Sequence, residues 1–330
     1  MILLKQIINI LIKFKIIKLI LTLIRPKFII LYYHGVVDNK KFLKLRGPEK
    51  NLFISKNNFE KQILFLKNKN IKIMSMDDLY KENFSPKIFS VVITFDDGYK
   101  NNLKNVYPIM NKYNFPFIIY VISGVLKHKW VWWHEVWSLI KDKKSIIFNN
   151  RKVNLNSNLQ KNNFFLMIKN ELKKFRNKDK IKFIKKNFNK KILNNMKELF
   201  LNNEEIKKLT KNKIVTIGSH GHEHLCYKNF DTNVLINDAR LSKNILQKIF
   251  NKSIKHFSFP YGNENDIKFK EHFFLKKIRY QTGVTTFDYS YKKFNKFYLC
   301  RHSIGPNVNI HDFERKLLGI DSFLRKVFLR

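Results

Sequence analysis

Cysteine is nearly absent. Cys226 and Cys300 are the only two in 330 residues, too few for a disulfide-stapled secreted module or a Cys-rich structural zinc site. Glycine (10) and proline (7) are also scarce, which excludes collagen-like and low-complexity chains. No heptad array and no repeat with a period of 20–50 residues is visible, which argues against coiled coils and solenoids. Acidic residues number 25 against 65 Lys+Arg, a formal net charge of +40. Only ten of those 65 are Arg, the side chain suited to bidentate reading of phosphates and bases. The lysines are spread along the chain together with Ile, Asn and Phe, residues that share A/T-rich codons. Coding composition accounts for them better than a clustered polyanion footprint. No nucleic-acid partner is expected, although the charge favours anionic substrates or membrane surfaces at low salt. What is present is a core: 44% of residues are hydrophobic and 15% aromatic, so the chain is not a disordered polycation.

Residues 1–24 are apolar but interrupted by Lys5, Lys13, Lys15 and Lys18. As one helix they would extend about 36 Å, enough to cross a bilayer. Three lysines near the middle largely cancel the gain from Leu and Ile, and no small-residue cleavage site follows. Two readings stand: an interfacial basic helix touching a membrane, or a helix packed on the domain. Pro26 ends the helical pattern.

The body of the chain, 27–310, alternates strand-like and helix-like segments. Residues 28–39 (FIILYYHGVVDN), 71–79, 88–102 and 115–123 read as buried strands and their loops, with helices at 58–68 and 103–113,. Strand texture resumes at 213–225, 254–263, 280–290 and 297–305, with a helix at 234–250 between the first two. This rhythm predicts an α/β fold with a parallel sheet or barrel and sites at the carboxyl ends of strands. Residues 134–210 break the rhythm, are rich in Lys and Asn, and read as a helical insertion. A basic helix is expected over 311–330.

Three segments at strand ends carry chemistry. Thr94-Phe95-Asp96-Asp97-Gly98 places two carboxylates where a frayed strand can turn both into one pocket, with Gly98 permitting the turn; a lone Asp-Asp-Gly is equally a solvated loop. Ser219-His220-Gly221-His222-Glu223-His224 packs three of the chain's ten histidines into five residues. On a helical turn His220 and His224 would share one face, and imidazole with carboxylate suits a borderline divalent ion such as Zn²⁺. His222 faces elsewhere, as a supporting residue or a bystander. Phe257-Ser258-Phe259-Pro260-Tyr261-Gly262 fixes a tight loop after an apolar strand.

In order and spacing the three segments resemble the motifs of the NodB-like polysaccharide deacetylase family, carbohydrate esterase family four. The resemblance spans about residues 28–305, with YYHGVV (32–37) and NFEKQILFLK (58–67) similar to the leading segments of many bacterial members. It implies a distorted (β/α) barrel of the polysaccharide deacetylase type carrying a helical insertion. It also implies roles: Asp96 as the general base for a water on the metal, Asp97, His220 and His224 as ligands of a divalent metal with zinc leading, the Tyr261 backbone N–H as the oxyanion donor, and Pro260 beside it as a substrate contact. Amide hydrolysis needs this set, namely an activated water, an oxyanion stabiliser and an acid for the leaving amine.

The chain departs from the family pattern in three places. Ser258-Phe259 stands where well-studied members carry an Arg before the Pro-Tyr-Gly loop. The Asp-x-x-Asp-Trp motif is missing, with only Asp288 loosely placed. The late Leu-x-His motif is replaced by Leu299-Cys300-Arg301-His302, one residue out of register. His302 is therefore the first candidate for the general acid and His34 the alternative, with Arg301 orienting the base or contacting substrate.

The expected activity is metal-dependent removal of acetyl from an N-acetylated sugar of a surface polysaccharide or its lipid- or nucleotide-linked precursor. The competing reading is a catalytically silent glycan-binding or scaffold protein on the same fold. Trp130, Trp132, Trp133 and Trp137 either stack on sugar rings or form a packed aromatic helix. Without a signal-peptide pattern the expected location is cytoplasmic with peripheral membrane contact through residues 1–24.

Overall fold

The structure, a computed structural model, describes residues 19, 21–23, 25–190, 194–267, 272–287 and 294–320. Most of the N-terminal helix expected over 1–26, residue Asp288 and the end of the expected C-terminal helix (321–330) lie outside the described residues. Twelve strands are described: β1 (Phe28–Tyr33), β2 (Gly35–Val37), β3 (Phe53–Ser55), β4 (Lys72–Ile73), β5 (Ser90–Phe95), β6 (Phe117–Val121), β7 (Ser145–Phe148), β8 (Arg151–Asn154), β9 (Val215–Ser219), β10 (His256–Ser258), β11 (Thr282–Val284) and β12 (His302–Ser303). Seven of them form one curled sheet in the order β11-β10-β9-β6-β5-β1-β12, and β4 pairs with the start of β5. Every pairing in this sheet is parallel.

Strict alternation within these strands divides the core into two layers. Ile29, Leu31 and Tyr33 of β1, Val91, Ile93 and Phe95 of β5, and Phe117, Ile119 and Val121 of β6 face outward beneath the helices. The helices Lys56–Asn68 and Thr232–Phe250 close over this layer through residues such as Phe59, Ile63, Leu235 and Leu246. The intervening residues Ile30, Val92, Ile118 and Tyr120 pack inside the curl with Val284 and Leu299. Burial on both faces explains why β5 and β6 are near-continuous runs of Val, Ile and Phe rather than amphipathic strands.

The sheet closes toward a barrel through residues 296–303. Gly283 donates its N–H to Lys296 O at 3.0 Å and Thr285 to Leu299 O at 2.9 Å, while Arg301 N–H reaches Phe287 O at 3.0 Å. At the next residue the chain pairs with β1, Leu31 opposite His302. The segment that follows β11 therefore passes from one edge strand to the other. It carries Arg301 into the barrel mouth.

The insertion is mainly helical, with helices Trp132–Ile140, Asn158–Leu172, Asn177–Asn187 and Asn203–Thr210. It also holds an antiparallel hairpin, β7 paired with β8, which the sequence reading did not anticipate. Asn149 and Asn150 form its two-residue loop at φ +51° and +60°, the left-handed geometry of a tight hairpin turn. Most of the insertion has a core of its own, in which Trp130, Trp132, Trp133 and Trp137 pack with Phe164, Phe165 and Ile168. Its last helix belongs to the barrel instead, burying Ile206 and Leu209 in the outer layer. Among the described residues no helix is long and apolar enough to cross a membrane.

Candidate active site

Three strand ends supply the floor of a cavity of about 450 Å³ at the carboxyl end of the sheet. β5 continues its inward phase, Val92 and Thr94, into Asp96. Asp97 and Gly98 then take left-handed backbone, φ +71° and +79°, which turns the second carboxylate toward β9. This turn is held by pairing with the end of the insertion: Lys100 N–H donates to Leu199 O at 2.8 Å and Leu201 N–H to Gly98 O at 3.0 Å.

The loop after β9 is not helical, contrary to the geometry assumed from the spacing of His220 and His224. Left-handed residues at Gly221 (φ +73°) and His224 (φ +51°) fold it back on itself instead. The two rings still meet, with centroids 5.0 Å apart. Asp238, from the helix Thr232–Phe250, accepts the N–H groups of His222 at 3.0 Å and Glu223 at 2.8 Å. Glycine is required at 221, because a Cβ there would lie 2.7 Å from Asp238 Oδ2. His222 turns away from the pair and bonds Ser123 Oγ through Nδ1 at 2.8 Å.

Asp97, His220 and His224 converge, all buried or nearly so, with one ligand atom of each lying within 4.8 Å of the others. Asp97 Oδ1 stands 3.5 Å from His220 Nε2 and 3.7 Å from His224 Nε2. The donor set fits a divalent cation on three counts. Oδ1 of Asp97 is buried without a hydrogen-bond partner. His220 donates Nδ1–H to Ser258 O at 2.8 Å, which leaves its Nε2 lone pair facing Asp97 in the tautomer a ligand needs. Burial, reinforced by Asp96, pushes the Asp97 carboxyl well above its ordinary pKa, while burial lowers the pKa of both imidazoles. Neutral histidines around a carboxylate lacking a counter-charge form a cation site of borderline N/O character.

Asp96 is held separately. Arg301 is fully buried and grips it bidentately, Nη1 to Oδ1 at 2.8 Å and Nη2 to Oδ2 at 2.7 Å. The same guanidinium donates to Thr94 Oγ1 at 3.1 Å, Ser258 Oγ at 2.9 Å and, through Nε, Thr285 O at 2.7 Å. It also lies 4.6 Å from the centroid of the Tyr32 ring. Burial works against the Asp96 carboxylate, but Arg301 more than offsets it, helped by His220, and the pKa stays at about 2. An arginine thus reaches the Ser258 position from the closing segment, although none precedes the Pro-Tyr-Gly loop.

Tyr261 takes a left-handed conformation, φ +61°, fixed by Gly262 N–H to Pro260 O at 2.7 Å and Thr286 Oγ1 to Tyr261 O at 2.9 Å. Among the described residues its own N–H meets no acceptor. Its hydroxyl accepts from Trp132 Nε1 at 3.2 Å, and its ring lies 4.7 Å from that of His224. Pro260 is buried beside Gly221 rather than on the cavity wall.

Of the two histidines considered for proton delivery, only His34 lines the cavity. Burial lowers its pKa to about 4, against the opposing pull of Asp96. His302 is not among the lining residues. It pairs opposite Leu31, whose side chain faces the helix layer, so strand alternation sends His302 outward while the preceding Arg301 points in. Arg301, expected to orient the base or contact substrate, is the member of the pair that reaches Asp96.

The insertion supplies the far wall. Trp132 and Trp133 line it, but their faces are engaged by protein: Trp132 stacks on Phe165 at 5.6 Å, and Trp133 lies 4.9 Å from His224. Trp130 and Trp137 are buried away from the cavity, so the four indoles form a packed cluster that presents two edges to the site. Trp133 Nε1 donates to Tyr99 Oη at 3.0 Å, and Tyr99 in turn bonds His134 Nε2 at 3.0 Å. The wall is thereby tied to the residue after Gly98. Asp238 and Lys169 were not singled out from sequence, and Thr94 entered only as the first residue of its segment, without a role. For Asp238 a signal existed, as a lone acid on the buried face of a helix beside Leu235, Ile236 and Ala239.

The family model for "Polysaccharide deacetylase" matches residues 84–272, more than half of the chain. Poly-beta-1,6-N-acetyl-D-glucosamine N-deacetylase of Staphylococcus aureus (strain MSSA476) is 24% identical over 284 residues, covering 83% of this chain and 70% of the relative. Among solved structures, Streptococcus pyogenes deacetylase PplD in complex with acetate superposes with a TM-score of 0.59 at 17% identity, over 88% of this chain and 97% of that one. IcaB from Ammonifex degensii gives 0.57 at 14% identity, over 88% and 97%. At these identities the structural likeness establishes the fold, which is the distorted barrel expected from the motifs.

Proposed function

The chain belongs to the polysaccharide deacetylase family and is a hydrolase of that class; from this premise we propose that it removes acetyl from N-acetylglucosamine units of a surface polysaccharide or its precursor. The S. aureus relative's named substrate, poly-beta-1,6-N-acetyl-D-glucosamine, supports the choice of sugar. One observation carries the reading. A buried Asp97–His220–His224 cluster stands beside a second carboxylate, Asp96, whose charge is fixed independently by Arg301.

Asp97, His220 and His224 would hold a divalent ion, zinc by donor type, which supplies a lowered water pKa and Lewis-acid polarisation of the acetamido oxygen. Asp96, ionised at neutral pH, accepts a proton from the attacking water. Arg301 occupies one lone-pair direction on each carboxylate oxygen and so fixes where the others point. The Tyr261 N–H donates to the oxygen that gains charge as the carbonyl carbon becomes tetrahedral. When the C–N bond breaks, Asp96 returns its proton to the leaving amine, which gives acetate and a free amino sugar. His34, neutral above its pKa of about 4, contacts substrate in this scheme and does not act as the acid.

The test pairs metal analysis with acetate release from N-acetylglucosamine oligomers. Wild type should bind one metal per chain and release acetate. Asp96→Asn should keep the metal and lose about 10²–10⁴ in turnover, whereas His220→Ala should lose both. Full activity in Asp96→Asn, or no metal bound after reconstitution, would overturn the assignment. Metal and glycan binding without turnover would favour a binding role.

A further inference from the structure

The helix Asn158–Leu172 turns Asn162, Phe165, Leu166 and Lys169 toward the cavity, the i, i+3, i+4, i+7 spacing of one helix face. One turn further on, Lys173 is fully engaged. Its ammonium donates to both oxygens of Asp266, at 2.7 and 2.8 Å, and lies 4.8 Å over the Tyr261 ring. Lys169 has no comparable partner. Among the described residues no hydrogen bond or ion pair meets its ammonium, although it is half-buried in the cavity wall. Burial, with the like charge of Lys173 four residues away, lowers its pKa. Asp266, the acid that bears on Lys169, is already matched by Lys173. A desolvated, unpaired cation beside a second cation costs free energy in the absence of an anion.

We propose that Lys169 is a subsite for an oxyanion, phosphate or carboxylate, carried on the same glycan as the acetamido group that is hydrolysed. The inference rests on the deacetylase reading and narrows it to acidic glycans. The wall is shaped for such a chain. From Asn162 to Lys169 it rises about 10 Å along the helix, with an amide and two apolar side chains preceding the charge. A single ammonium is a point charge without bidentate geometry, so the site should accept either oxyanion.

Three oligomers of equal length separate the possibilities: neutral N-acetylglucosamine tetramer, the same tetramer with a reducing-end phosphate, and a tetramer alternating N-acetylglucosamine with glucuronic acid. Wild type should favour one or both acidic oligomers in kcat/KM, and raising the salt should shrink the preference. Lys169→Gln should cut the acidic-to-neutral ratio on the order of tenfold, as expected for loss of a charged hydrogen bond, and Lys169→Arg should restore it. Lys174→Gln removes a solvent-facing charge paired with Glu171 and should leave the ratio unchanged. The phosphate and uronate arms show which anion is read. Equal rates on all three oligomers, or a ratio indifferent to Lys169→Gln, would overturn the inference while leaving the deacetylase reading intact. Calorimetric binding to the Asp96→Asn protein reads the subsite without turnover. Equal affinity for neutral and acidic oligomers there overturns it even where no acetate is released.

Discussion

Replacing Arg301 by methionine should cost more stability than any other single change at the mouth of the barrel, and removing the Asp96 charge as well should recover most of the loss. Both side chains are almost wholly buried, at 0% and 2% exposed. Without the guanidinium, the Asp96 carboxylate is a buried charge with no counter-ion, and breaking such a pair typically costs about 3–5 kcal/mol. Arg301→Met also forfeits the bonds to Thr94 Oγ1, Ser258 Oγ and Thr285 O. Those losses are common to Arg301→Met and to the Arg301→Met/Asp96→Asn double variant, so they cancel between the two. The double variant should therefore be the more stable by about 2 kcal/mol or more. Urea unfolding of wild type, Arg301→Met, Asp96→Asn and the double variant, with any metal removed by chelation, reads this difference free of any change in metal affinity.

The pH dependence supplies an independent check of sign. In wild type Asp96 is held at about 2, below the ordinary carboxylate value near 3.9. Its contribution is full above that ordinary value and is lost as pH falls toward 2. In Arg301→Met burial, the largest influence on Asp96, is opposed only by the weaker pull of His220 and His34 and raises its pKa, so that protonation there is favoured by folding. The variant should gain stability relative to wild type as pH falls from 6 to 4. Equal destabilisation of single and double variants, with parallel pH profiles, would refute the account of Arg301 as the counter-charge of Asp96.

Three further outcomes follow from the same geometry. Gly221→Ala should lose metal and destabilise the fold by about 1–3 kcal/mol, because its φ is +73° and the new Cβ would meet Asp238 Oδ2; zinc titration and urea unfolding measure both. Asp238→Ala frees the N–H groups of His222 and Glu223 and should weaken metal binding about 10–100-fold, the usual effect of removing an outer support; unchanged affinity would show that the loop holds its shape without it. For His34, burial lowers the folded pKa to about 4, so the unfolded chain protonates first and stability falls as pH drops from about 6.5 to 4. His34→Gln should flatten this limb by about 2 kcal/mol, less than the full shift implies because the ring is partly open to the cavity.

The residues legible in the sequence are those whose roles depend on short spacing at strand ends. Asp96 and Asp97 follow a buried strand, His220 and His224 follow another, and Tyr261 follows a third. A parallel sheet brings the carboxyl ends of its strands to one side whatever their separation in the chain. That rule brings Asp97, His220 and His224 together without the helical turn considered for the histidines, because two left-handed residues achieve the same convergence. Strand order, by contrast, has no signature in local spacing. Arg301 lies 205 residues from Asp96, and it meets that carboxylate only because the segment after β11 returns to pair with β1, the neighbour of β5. The phase of that pairing decides between Arg301 and His302, and a two-residue strand sets no visible phase of its own. The hairpin at 145–154 was missed for a related reason. Its strands are mostly half-exposed or exposed, the three apolar residues of β7 stand isolated in a Lys- and Asn-rich stretch, and only the Asn149-Asn150 pair signalled the turn. Lys169 was hidden by number: among so many lysines, its lack of a partner becomes visible only once the fold has placed Asp266 beside Lys173.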